Sequence, residues 1–170
     1  MVSISNASDA SLTPALNKIS EKEMKGTYVL IIENHADTEV KIAKIGSIAF
    51  KKGFYAYVGS ALSGLERRIG RHLRDVGNNK KLHWHIDYFL ANPAVEVREV
   101  VCAETEERKE CEIAANMSMH LDSVAHFGCT DCSCKSHLFF SASVTELKEH
   151  VYGSFHSAGE HFLATKINPV

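Results

Sequence analysis

Two groups of side chains in this sequence are of types that do chemistry. The first lies between Gly53 and His85, where a helix-forming segment carries Arg67, Arg68, Arg71, Arg74, Lys80 and Lys81 against only Glu66 and Asp75, followed by His83 and His85 on either side of the single tryptophan, Trp84. Such a run can neutralise phosphates without regard to sequence. The second is Cys129-x2-Cys132-x-Cys134-x2-His137, a set of ligands soft enough for Zn2+. Its spacing departs from the usual two knuckles separated by a longer segment, so a tight turn bearing free thiols is the competing reading.

Helical phase sorts the arginines. At about 100° per residue, Leu62, Leu65, Ile69, Leu73 and Val76 fall in one apolar sector, with His72 at its edge and Arg68 one turn away on the same flank. Arg67 and Arg74 point the other way, toward water. Ser63 is placed to cap this helix, which is predicted to run to about Val76 and to end at Gly77-Asn78-Asn79.

The elements that must position these groups are legible in outline. Gly26 to Ile32 is apolar and β-branched, as a buried strand requires. Val40 to Ile45 partly alternates, and in Phe54 to Gly59 the residues Phe54, Ala56 and Val58 share one face while Tyr55 and Tyr57 share the other. Short connections favour an antiparallel meander. Lys81 to Leu90 reads as a short helix ended by Asn92-Pro93. Val95 to Val101 alternates as a strand, Glu106 to about His120 is a helix with acids at its start, and Leu138 to Ser141 is a strand. Ser143 to Tyr152 is a final helix, after which the pattern is lost. If His83 and His85 alternate, one lines a cleft beside Trp84 while the other packs.

The totals set bounds. A chain of 170 residues suits one domain, taken here as residues 23–152 between a flexible leader (1–22) and a tail (153–170). The net charge of -2 gives no global sign of nucleic-acid binding. Charge is instead segregated, with a basic stretch before Lys81 and an acidic one between Glu96 and Asp122 that is itself suited to a protein partner. No apolar run approaches the roughly 18 residues of a membrane helix, and no signal peptide opens the chain, so a cytoplasmic protein is expected. Five cysteines, an odd number, argue against a pure disulfide framework.

The order of Gly26-Thr27-Tyr28 on one strand, Tyr57-Val58-Gly59 on another, a helix bearing Arg68 and then an acidic helix start resembles the GIY-YIG nuclease domain. The words YAYVGSA, RRIGRHLR, KLHWHIDY, KECE and FGCTDCSCKSHLFF resemble more closely a mainly archaeal family grouped with the Uri-type endonucleases, DUF123, over about Gly26 to Phe140. The resemblance implies an α/β fold of the α+β type, with a small, mainly antiparallel sheet flanked by helices, and a metal-dependent endonuclease acting on DNA. It also implies the site residues. Tyr28, Tyr57, Arg68 and His72 would be catalytic, and Glu110, with Glu112 as the alternative, would bind Mg2+ or Mn2+. Arg67, Arg71, Arg74, Lys80, Lys81, His83 and His85 would then be the contacts to nucleic acid. Thr27 stands where the motif has isoleucine, and an extra hairpin segment separates the two tyrosine motifs. The alternative is a noncatalytic nucleic-acid-binding module of the same fold, with structural Zn2+ on Cys129, Cys132, Cys134 and His137.

Overall fold

A computed structural model describes residues 23–74 and 80–168. The assigned leader (1–22), Val76 and the helix end at Gly77-Asn78-Asn79 lie outside these residues. The fold is mixed α/β. Strands β1 (Gly26–Asn34), β4 (Gly53–Ala61), β5 (Val95–Glu104), β6 (Asp122–Ser123), β7 (Leu138–Ser141) and β8 (Leu163–Lys166) form one antiparallel sheet in the order β6-β7-β4-β1-β5-β8. Strands β2 (Thr38–Ile42) and β3 (Gly46–Phe50) pair only with each other.

The expected meander is therefore corrected. β1 pairs directly with β4, and the segment between them leaves the sheet as a hairpin. Its tight reversal uses Lys44 (φ 74°) and Gly46 (φ 95°), both left-handed, a conformation that glycine adopts without steric penalty.

Helices cover both sheet faces. On one side lie α1 (Leu65–Leu73), α2 (His85–Leu90) and the hairpin, packed on Tyr28, Leu30, Ile32, Tyr55, Tyr57, Val100 and Cys102. On the other lie α3 (Glu110–Ser118) and α4 (Val144–Ser157), packed on Val29, Ile31, Ala56, Val58, Val101 and Ala103. Because side chains alternate along a strand, cover on both faces explains why β1 reads as an unbroken apolar run. Each large side chain so buried contributes about 1.5–3 kcal/mol. Both cores are filled mainly by such residues, with Phe50 stacked on Phe89 at 4.2 Å on one side.

Several boundaries differ from expectation, and the helix expected from Glu106 starts only at Glu110. α1 starts after Gly64, which itself occupies the cap position at φ 115°, and no side chain makes a capping bond, so Ser63 does not cap it. Lys81 to Trp84 are not helical; Asp87 instead accepts the backbone N–H of His83 and of Trp84, both at 2.9 Å, and so starts α2 late. The end of the chain is not patternless. α4 continues to Ser157, capped by Ser143, and β8 adds to the free edge of β5.

Candidate functional site

The β1–β4 register sets Tyr28 opposite Gly59 and Tyr57 opposite Leu30, with both tyrosines on the face that α1 covers. Glycine at 59 is a steric requirement, because a Cβ there would lie 2.5 Å from the Tyr28 hydroxyl. α1 turns Leu65, Ile69 and His72 inward at successive turns. His72, placed by helical phase at the edge of the apolar sector, is only 3% exposed. Its Nε2 lies 2.7 Å from the Tyr28 hydroxyl, and its ring centroid is 6.0 Å from that of Tyr57 and 5.8 Å from that of Trp84. Arg68 holds its guanidinium 4.5 Å from the Trp84 ring. Tyr28, Tyr57, Arg68 and His72 are thus one packed group, with Trp84 as a further member.

Burial dominates the electrostatics of this group. It drives the Tyr28 hydroxyl well above its ordinary pKa, with Tyr57 adding to the rise and Arg68 opposing it. Tyr57 is raised in the same way. Burial lowers His72 to about 3, so its ring is neutral at pH 7. Its Nδ1 is buried and has no hydrogen-bond partner.

Glu110 begins α3 and is 5% exposed. Its Oε1 accepts two hydrogen bonds from Arg108, from Nε at 3.1 Å and Nη2 at 2.7 Å. Its Oε2 is buried without a partner, and its charge acts on both Tyr28 and Tyr57. Glu112 faces solvent and pairs with Lys109 at 3.1 Å.

The basic residues are divided by the fold. Arg71, Arg74, Lys80, Lys81, His83 and Trp84 line an open cleft of about 440 Å3. Arg71 is committed there to the buried Asp87 through two bonds of 2.8 and 2.9 Å, so its first role is to anchor α2 to α1. Burial alone would raise the Asp87 carboxyl, but Arg71 and the two backbone N–H groups hold it below its usual value. Lys80 Nζ donates to the carbonyls of His72 and Arg74, both at 3.2 Å. Arg67 turns away to Glu23, and His85 leaves the cleft, taking the Gly128 N–H on its Nδ1 at 3.0 Å and packing on Phe127.

The soft-ligand group is corrected by one residue. Cys111, Cys132, Cys134 and His137 bring their donor atoms within 4.8 Å of one another, a set that could hold a metal ion such as zinc. Cys129 is not in that set. It is a buried residue of the same β6–β7 loop, and Cys111 comes from the first turn of α3. All five cysteines are free.

The profile of a family described as a domain of unknown function, DUF123, matches residues 27–160. The chain belongs to DUF123. No curated protein and no solved structure matches it. The DUF123 match spans every residue of the two groups above and leaves β8 outside.

Within this DUF123 chain, sequence reasoning missed Cys111, Arg108 and the stacking position of Trp84. Cys111 is remote in sequence from the other three ligands, and only its adjacency to Glu110, together with the odd cysteine count, hinted at it. Among the described residues no helix is long and apolar enough to cross a membrane.

Proposed function

We propose that this protein is a metal-dependent endonuclease that hydrolyses phosphodiester bonds in DNA, with its active centre at Tyr28, Tyr57, Arg68, His72 and Glu110. The observation that carries this reading is Glu110 Oε2, a buried carboxylate oxygen without a hydrogen-bond partner, whose charge adds a minor rise to the two buried tyrosines. A carboxylate oxygen in a buried site lacks the desolvation compensation it needs, and a hard divalent cation supplies it. Mg2+ or Mn2+ fits a site with one protein carboxylate, because either ion keeps several waters and takes further oxygens from the substrate phosphate. Glu110 would hold the ion, which when bound stabilises negative charge developing on the phosphoryl and leaving oxygens.

The chain's own groups have separable tasks. Arg68 is the cation positioned to meet a non-bridging phosphate oxygen, a role in which its removal lowers turnover by roughly 100- to 1000-fold. Tyr28 and Tyr57 are protonated at neutral pH, so they act first as hydroxyl groups that orient the attacking water. Proton abstraction by Tyr28 would require the lowering effect of Arg68 to be reinforced by the bound cation. His72 fixes the Tyr28 hydroxyl at 2.7 Å. The cleft beside Trp84 offers Arg74 and Lys81 to the phosphate backbone, while Arg68 and Arg71 hold their guanidinium groups 4.5 and 4.1 Å from the centre of the indole ring.

The test is cleavage of branched, single-stranded and duplex DNA with Mg2+ or Mn2+. Wild-type protein is expected to cut at least one of these. Cleavage no greater than that of an Arg68→Ala/Glu110→Ala double variant would sink the proposal. A second reading, noncatalytic nucleic-acid binding, is favoured by the basic cleft, which is lined by residues other than Glu110. Salt-sensitive binding that survives Glu110→Ala, without turnover by wild type, would select it.

A further inference from the structure

Cys132, Cys134 and His137 belong to the loop between β6 and β7, whereas Cys111 follows Glu110 in the first turn of α3. Cys132 Sγ lies 3.5 Å and Cys111 Sγ 4.0 Å from His137 Nε2. A tetrahedral zinc ion with Zn–S near 2.3 Å and Zn–N near 2.0 Å separates its donors by about 3.5–3.8 Å. The four donors, all within 4.8 Å of one another, already stand close to that spacing. No disulfide consumes any of the thiols. Three thiolates and an imidazole form a soft set, which selects zinc over the hard cation suited to Glu110.

We infer that Cys111, Cys132, Cys134 and His137 bind one Zn2+, and that this ion staples the β6–β7 loop to the start of α3, holding Glu110 and Tyr57 in their relative positions. The path on the Glu110 side is one peptide bond, from Cys111. On the Tyr57 side it runs through His137, whose carbonyl accepts the Val58 N–H at 3.0 Å and whose own N–H donates to Phe127 at 2.7 Å. Gly128 of the same loop sits against the Tyr57 ring, where a Cβ would lie 3.1 Å from Cε2. Zinc binding stands independently of the nuclease reading; only the importance of positioning Glu110 rests on it.

The experiment begins with the metal content of the purified full-length chain. About one zinc per chain is expected for wild type and for Cys129→Ser, and roughly tenfold less for Cys111→Ser and Cys134→Ser. Wild-type protein loaded with Co2+ should show thiolate-to-cobalt charge transfer and the intense visible bands of a tetrahedral site. These wild-type measurements do not depend on whether the variants fold. Wild-type protein without zinc, weak octahedral cobalt bands, or a disulfide among the three cysteines would each overturn the site. For positioning, hydrogen exchange of the hydrogen-bonded amides of Ile113 and Val58 should speed up when a chelator removes the zinc. Unchanged exchange would overturn the staple. None of these readouts requires cleavage, so a failed nuclease assay leaves them intact.

Discussion

His72 is a histidine kept from ionising by its neighbours. Burial is the leading cause of a pKa near 3, and Lys80, Arg71 and Arg68 press in the same direction, with Asp87 opposing them. The unfolded chain binds a proton at this side chain below about pH 6.5, whereas the folded chain does so only near 3. Between those values the unfolded state holds more protons, so stability falls as pH falls and is unaffected by this group above the upper value. The urea midpoint should therefore drop between pH 7 and pH 5. His72→Gln, which keeps a polar partner for Tyr28, should show a shallower drop, with the remaining slope coming partly from His85, whose pKa burial also lowers. Equal slopes in the two proteins would mean that His72 is not buried neutral. The same scale explains why Arg71 differs from Arg74. Two arginines that look alike in a list of basic residues are separated by Asp87, which binds one and leaves the other exposed.

Between elements, the β1–β4 pairing is what puts the Tyr28 hydroxyl within reach of α1. Gly59→Ala would force its methyl against the hydroxyl and Cζ of Tyr28, at 2.5 and 2.6 Å. Tyr28 is 1% exposed and bonded to His72, so it has nowhere to retreat. The substitution should destabilise by roughly 1–3 kcal/mol. Gly70→Ala on α1 meets nothing within 4 Å and should stabilise by about 0.5–1 kcal/mol through helix propensity. Thermal denaturation of both variants checks the pair. If Gly59→Ala leaves the midpoint unchanged or raises it, the register that places Tyr28 against residue 59 is wrong.

For the molecule as a whole, β8 closes the sheet on the side of β5. It pairs Leu163–Lys166 with Glu99–Cys102, and Phe162, just before it, stacks on Tyr152 at 5.0 Å. A chain ending at Gly159 would bare the N–H and C=O groups of β5 along an apolar strand, a template for pairing with another chain. It should lose about 1–2 kcal/mol from the Phe162 contact alone, and light scattering should report association that the full chain lacks. A truncated chain that stays monomeric would show that β8 is dispensable as an edge guard.

What the sequence determined by itself follows from local periodicity and short-range sterics. The buried run of β1, the two-faced pattern of Tyr55 and Tyr57 against Ala56 and Val58, the alternation of β5, and the inward flank of α1 that carries His72 all repeat within a few residues, so each was legible, and so was the mixed α/β class with its antiparallel sheet. Tertiary structure decided what depends on partners distant in the chain. It sent the β2–β3 hairpin out of the sheet, recruited Leu163–Lys166 as an edge strand, tied Arg71 to Asp87 and left Glu110 Oε2 buried and unpaired. It also replaced Cys129 by Cys111 in the metal-ligating set. Ligand spacing within a loop is a local property, but the fourth thiol arrives on a helix, and which cysteine reaches the centre depends on how that helix packs against the sheet.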